Sequence, residues 1–264
     1  MGLFDKFKKK DNIKDEEVLK YSSENYVIKD NYKSKEYFLK QLQQINFFIN
    51  HLYNLGKKYN SKPDYSFISK YLFKKICILY VLGAEPDIIK QNIVEMKNTM
   101  ENITLSDSKL QYTDTVNLIS LYYLFNLNIS DIEFIKSKMV DEKYVDAILD
   151  ILRNKVFDNK IMTTKDYYLK EKIGFFPDYN KDNNGLMNVI NSNNTEIRNQ
   201  EFKKYLDEVK TKHYNRLLKE YEKVDEGKYT YLGTFDFKLT ALAKILDIDK
   251  NILKDSKFIA VDLL

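Results

Sequence analysis

Seven glycines and three prolines in 264 residues leave this chain few places to turn sharply. A backbone so poor in both residues reads as long helices separated by a small number of breaks. The apolar periodicity agrees. Between Ser34 and Tyr59, the residues Tyr37, Phe38, Leu42, Ile45, Phe48, Ile49 and Leu52 recur at intervals of three and four, which lines one face of a helix. Similar stripes predict helices over about 64–82, 86–103, 107–126, 131–139 and 142–156, a long one from Thr195 to about Val224, and a weak one over about 15–28. Pro63 and Pro86 each follow a break and suit a first helical turn, and Ser130 is placed to cap the helix after it.

These elements predict an all-α fold, a bundle of about ten helices built from packed antiparallel hairpins. Residues 1–19 read as a charged leader, 20–126 as an N-terminal helical module and 130–264 as a C-terminal helical module, the two packed as one unit. The stretch from Gly174 to Asn194 holds seven asparagines and little periodicity, which predicts a loop with at most one short helix. No fixed-period repeat is present.

Catalysis has no visible carrier. The single cysteine, Cys77, sits in the apolar run ICILYVL and reads as a core thiol; it has no partner for an internal disulfide. His51 and His213 lie on separate helices and belong to no metal-ligand spacing, and the chain contains no Gly-rich phosphate loop or GxSxG elbow. No cofactor, metal or small-molecule substrate is expected. With no apolar run approaching ~18 residues and no secretory signal, no membrane span is expected and a cytoplasmic location is. The N-terminal MGLFDKFKKKD mixes Leu3, Phe4 and Phe7 with lysines, but ~10 residues give little area for membrane attachment, so a solvated leader is expected.

The net charge of +4 is unevenly spread. Residues 1–80 carry 16 basic and 9 acidic groups, 81–150 carry 6 and 12, and 151–264 carry 21 and 18. Lysine content together with 21 tyrosines is a pairing that nucleic-acid grooves use. Most of these tyrosines fall at helical spacing among Leu and Ile, as in LISLYYLF, so they pack, and direct nucleic-acid binding is not expected. The acidic middle is more pointed. Glu142, Asp146 and Asp150 stand four residues apart beside the core stripe Val145, Ile148, Leu149, Leu152 and Val156, and so form a ridge. Such a ridge either pairs internally or faces a basic partner, in which case Asp131, Glu133 and Asp141, with the earlier Glu85 and Asp87, widen the patch.

The most information-rich segment is the last, YLGTFDFKLTALAKILDIDKNILKDSKFIAVDLL from Tyr231 to Leu264. Gly233 supplies a permissive turn, Thr234 is placed to cap a helix and Asp236 falls in its first turn. Phe235, Leu239, Leu242 and Leu246 form one buried stripe, Ala241 and Ala243 allow close approach, and Asp249 caps a last short helix. The tail FIAVDLL is too apolar to remain in water and is expected to dock.

This arrangement resembles the C-terminal module of the PoNe immunity proteins, the PoNi-like family. There a Tyr-x-Gly-Tyr-Trp-x-Phe-Glu run leads into an Ala-rich helix, an Asp-containing turn and a Tyr-Tyr-Pro-x-Asp-Leu ending. Tyr231, Gly233, Phe237, Ala241, Ala243, Lys244, Asp249, Asp262 and Leu263 match it. Phe235 replaces a Trp with similar bulk, Thr234 stands for Tyr and Phe258-Ile259-Ala260 for Tyr-Tyr-Pro. Lys238 stands where the family has Glu, so no toxin contact of that Glu carries over. VDAILDIL, with Asp146 and Asp150, resembles a second family pattern, and Leu72 to Ile89 resembles the family's N-terminal module. The resemblance implies an immunity protein of a polymorphic toxin system used in interbacterial competition: not an enzyme, but a stoichiometric inhibitor of a cognate PoNe-like DNase toxin. For such an inhibitor, the acidic residues at 131, 133, 141, 142, 146 and 150 are the expected toxin contacts, because a DNase must present a positive groove. The residue types alone also allow a helical adaptor for another protein partner and, less readily, a nucleic-acid-binding regulator.

Overall fold

The computed structural model describes residues 16–30, 32–103, 108–138, 147–160, 185–186, 188–209 and 231–264. Among them the chain is all-α, with helices and 3-10 turns and no strand. After α1 (Glu16–Ser22) come three long helices, α2 (Lys35–Lys58), α3 (Tyr65–Val81) and α4 (Pro86–Glu101). Then follow α5 (Ser108–Leu124), a 3-10 turn (Ile129–Ile132), α6 (Phe134–Lys138), α7 (Ala147–Asp158) and α8 (Thr195–Val209). The chain closes with α9 (Phe237–Ile245), α10 (Lys250–Leu253) and a 3-10 turn (Val261–Leu263).

The long helices fall where periodicity places them, but their caps correct several expectations. Ser34 accepts from the Tyr37 amide at 3.3 Å and starts α2. Pro63 lies outside its helix, because Asp64 is the cap of α3 and accepts from the Phe67 amide at 3.2 Å; Pro86 does occupy the first turn of α4. The expected 28-residue limit of the first helix is too long: it ends at Ser22, whose hydroxyl donates to the Leu19 carbonyl at 2.7 Å. The chain then turns, the Tyr26 amide donating to the Ser23 carbonyl at 3.3 Å, and reaches the Lys29 amide, which donates to the Val81 carbonyl at 2.8 Å. Ser130 caps nothing. Asn128 does so instead, accepting from the Ser130 amide at 3.3 Å, and the expected helix divides into the 3-10 turn and α6. The helical turn at 188–191 agrees with the one short helix allowed in the expected loop. Residues 16–19 of the expected leader belong to α1, and its residues 1–15, residues 161–184 and residues 210–224 of the expected long helix lie outside the described residues.

A chain this poor in glycine stops its helices by other means. Asn60, Asn126 and Asp247 adopt positive φ of 47°, 52° and 52° just beyond α2, α5 and α9. At each, the following amide reaches back five residues: Ser61 to the Gly56 carbonyl at 2.9 Å, Leu127 to Tyr122 at 3.0 Å and Ile248 to Ala243 at 3.0 Å. Short polar side chains tolerate this left-handed conformation better than other non-glycine residues. Gly83 performs the same task after α3.

Successive helices pack as neighbours, α1 on α2, α2 on α3 and α3 on α4. α5 then lies against α3 and α4 on one side and α7 and α9 on the other, so it joins the early helices to the late ones. Its residues Val116, Leu118, Ile119, Leu121, Tyr122 and Leu124 are all buried, which leaves no polar face after the third turn. α9 is shorter and equally enclosed; Ala241 and Ala243 are fully buried and let its backbone approach α5 and α7. Cys77 is buried within the continuous core run Ile76–Leu82, and burial, with a smaller push from Asp236, drives its thiol far above the ordinary range.

One carboxyl opposes this packing. Asp114 on α5 is 4% exposed, and burial pushes it up to about 6, with Lys70 pulling weakly the other way. Folding therefore takes up a proton between the ordinary aspartate value and about 6, so this group's contribution falls as pH rises through that window. Asp114→Asn should raise stability by about 1–3 kcal/mol at pH 7 and lose that advantage below about pH 4. Urea titrations at the two pH values check it; an equal effect at both would remove the buried charge as the cause.

Candidate functional site

The residues of the C-terminal motif converge on one junction, where the end of the chain meets its beginning. Tyr231 is buried; its hydroxyl donates to Asp30 Oδ2 at 2.6 Å, and its amide donates to the Tyr37 hydroxyl at 2.9 Å. The other oxygen of Asp30 accepts from the amides of Tyr32 at 2.8 Å and Lys33 at 3.2 Å. A buried carboxylate is thus satisfied by one phenol and two backbone groups. Burial first, then Asp30, raises the Tyr231 phenol. Gly233 passes this point at φ 98°, and a Cβ there would stand 2.6 Å from Val81 Cγ2.

Helix α9 begins later than expected. Asp236, extended at φ −116°, is its cap and accepts from the Leu239 amide at 3.0 Å, while Thr234 is buried and caps nothing. Phe235 therefore lies outside the helical stripe. It meets Tyr80 edge-on at 5.0 Å, and Phe237 meets the same ring at 5.3 Å. Lys238, of opposite charge to the family's Glu, stands 3.7 Å from the Asp236 carboxylate.

The tail docks through both apolar and polar contacts. Phe258, Ile259 and Ala260 are buried. The Asp236 amide donates to the Phe258 carbonyl at 2.9 Å, and the Ala260 amide to the Thr240 hydroxyl at 3.0 Å. Asp262 accepts from the Tyr80 hydroxyl and pairs with Lys29 at 2.7 Å, while the Lys29 ammonium sits 4.0 Å from the Tyr80 ring centroid. Burial pushes Asp262 up, but the hydrogen bonds from Lys29 and Tyr80 outweigh it and hold the carboxyl below its ordinary value. The Leu263 carbonyl accepts from Lys244 at 3.0 Å, and Asp249 caps α10 by accepting from the Asn251 amide at 2.8 Å. The matched motif is therefore a docking device.

The acidic candidates separate. Asp141, Glu142 and Asp146 lie outside the described residues. Asp131 and Glu133 are exposed at the 3-10 turn, where Asp131 accepts from the Asn128 side chain at 3.3 Å. Lys136 stands 3.9 Å from Glu133 and 3.9 Å from Asp158, which brings the end of α7 to the same corner. Asp158 was missed, although it falls eight residues after Asp150 and so continues the ridge spacing. Asp150 itself is half-buried, with Oδ2 shut off from solvent. The Tyr122 phenol is pushed up to about 12, by burial first and then by the charges of Asp131 and Glu101. Glu85 and Asp87 sit at the other end of α4, about 22 Å along its axis from Glu101. Glu85 is held by the Tyr26 hydroxyl at 2.6 Å and by Lys20 at 3.0 Å; those bonds, Tyr26's first, bring its carboxyl down to about 2.

His51 lies on α2, stacked on Phe47 at 5.9 Å, and His213 is outside the described residues. Among the described residues no three His, Cys, Asp or Glu side chains converge as metal ligands, and no helix is long and apolar enough to cross a membrane.

Residues 146–263 match the family model described as PoNe immunity proteins (PoNi), C-terminal. The C-terminal part of the chain is similar to that family; the segment Leu72 to Ile89 lies outside the match. No curated protein and no solved structure matches the chain.

Removing the Tyr231 hydroxyl tests the junction. Tyr231→Phe should destabilise by about 1–3 kcal/mol, since Asp30 loses its phenol donor without leaving the interior. Gly233→Ala should cost at least as much, and adding Val81→Ala should recover only the steric part, because the backbone strain at positive φ remains. Chemical unfolding of the three variants measures this; a Tyr231→Phe protein as stable as the parent would show that the pair ties nothing.

Proposed function

We propose that this protein is a cytoplasmic immunity protein that binds a cognate PoNe-like DNase toxin and blocks it stoichiometrically, with neither turnover nor cofactor. The observation that carries this reading is the match of residues 146–263 to the PoNe immunity family. On this reading residues 130–264 form the family's C-terminal module and 20–126 its N-terminal one.

The toxin-facing surface we propose is the corner formed by Asp131 and Glu133 with Asp158 at its edge, and the sequence pattern adds Asp141 and Glu142 as candidate contacts. Asp131, Glu133 and Asp158 are exposed, and Lys136 stands 3.9 Å from both Glu133 and Asp158. A DNase presents a positive groove to DNA, and an acidic surface is steered into that groove and occludes it. Asp146 and Asp150 belong to the same ridge. The half-buried position of Asp150 fits it to supporting the face more than to forming its centre.

Titrating the purified protein into a PoNe-like nuclease domain should abolish DNA cleavage at a fixed molar ratio, with one complex on gel filtration. Cleavage that continues at excess inhibitor would refute the reading for that toxin. Asp131→Asn, Glu133→Gln and Glu142→Gln together should slow association about tenfold at low salt and flatten its salt dependence, with an unchanged melting temperature. An unchanged association rate would move the interface elsewhere.

A further inference from the structure

The α2–α3 hairpin carries, on its outer side, rings and cations that toxin inhibition does not use. On α2, Phe47 is 38% exposed, lies parallel to His51 at 5.9 Å and 9°, and meets Phe48 edge-on at 5.8 Å. Phe48 stacks across the hairpin on Tyr71 of α3, at 5.2 Å and 14°. One turn before Tyr71, Phe67 is 51% exposed, and beyond the last turn of α2, Tyr59 is 65% exposed. Phe47 and His51 stand four residues apart on α2, and Phe67, Lys70, Tyr71 and Lys74 line one edge of α3, which the Phe48–Tyr71 stack joins to α2.

Lysines cover the same strip. Lys58 lies over Tyr59 at 5.3 Å, Lys70 over Phe67 at 5.4 Å and Lys74 over Tyr71 at 5.1 Å. Lys57 and Lys62 flank the connection. Among the described residues none of these five makes an ion pair; Lys70 feels the carboxyl of Asp114 only at a distance, and Asp64 is engaged as the cap of α3. The Lys74 ammonium is disfavoured by partial burial and then by Lys70 beside it. An apolar strip crowded with unanswered cations calls for an anionic surface with an apolar layer beneath it.

We propose that this hairpin face docks peripherally on an anionic lipid bilayer, its lysines at the lipid phosphates and Phe47, Tyr59 and Phe67 in the interfacial layer. Juxtaposed lysines and aromatic residues are the usual means of such attachment. Single-stranded nucleic acid fits less well: bases need open ring faces, and here those faces are taken by ring stacking and by lysine. A protein partner fits less well too, since interface centres favour Arg over Lys, and the hairpin contains no Arg. A basic face is repelled by a DNase's positive groove, so lipid docking leaves the acidic corner free.

Co-sedimentation of the full-length protein with vesicles tests this without any toxin present, so its outcome is independent of the inhibition assay. Vesicles of phosphatidylglycerol and phosphatidylcholine should retain the protein at least about tenfold better than phosphatidylcholine alone at low salt. Lys70→Gln with Lys74→Gln should weaken retention about fivefold, and Phe67→Ser about threefold, both at unchanged melting temperature. The proposal is overturned by equal retention on the two vesicle types, by retention that neither variant alters, or by tighter binding to a single-stranded oligonucleotide at matched phosphate concentration.

Discussion

Two carboxylate–tyrosine pairs hold the two ends of this chain together. Asp30 receives Tyr231 across 201 positions of sequence, and Asp262 receives Tyr80 across 182. Each pair spans a distance that local helix formation cannot enforce, and each is set among rings, Tyr37 and Phe38 around the first, Phe235 and Phe237 around the second. Asp30 is buried, where a charge-assisted hydrogen bond is strong, whereas the Asp262 side chain is exposed and its bonds to Tyr80 and Lys29 mainly fix direction and distance. α9 packs against both α5 and α7, so the late helices share one core with the early ones.

The scarcity of glycine has a structural answer. Four described helices end on Asn or Asp in the left-handed region, three with the same five-residue return hydrogen bond and α7, at Asn159, with a six-residue one from Lys160 to Asn154. Composition suggested few sharp turns, yet the turns are present and sharp. What the count of glycines missed is that asparagine supplies the same backbone conformation at modest cost, and asparagine is plentiful in this chain.

Charge of opposite sign gathers on two different parts of the surface. The α2–α3 hairpin is cationic and aromatic, whereas the corner at Asp131, Glu133 and Asp158 is acidic with Lys136 set among its carboxylates. Regional charge counts pointed to this division, but they grouped Glu85 and Asp87 with the acidic corner. The length of α4 separates them, and Lys20 with Tyr26 answers Glu85 locally. A charge's neighbours depend on where its helix ends point, which sequence spacing along one helix cannot supply.

Helix existence, type and approximate extent were legible in the sequence because the 3.6-residue period of apolar side chains is a local property, and so was the docking of the tail, because FIAVDLL has nowhere else to put its surface. Caps were read less well: Ser130 and Thr234 have suitable side chains, yet Asn128 and Asp236 do the capping, since position relative to the first free amides decides between neighbouring candidates. Only the tertiary structure decided what the terminal motif is for. Tyr231, Gly233 and Asp262 looked like features of one module; their partners Asp30, Val81, Tyr80 and Lys29 all lie in the first third of the chain. Pairings at such separation are selected by the packing of the whole core, and no periodicity or composition along the chain encodes them.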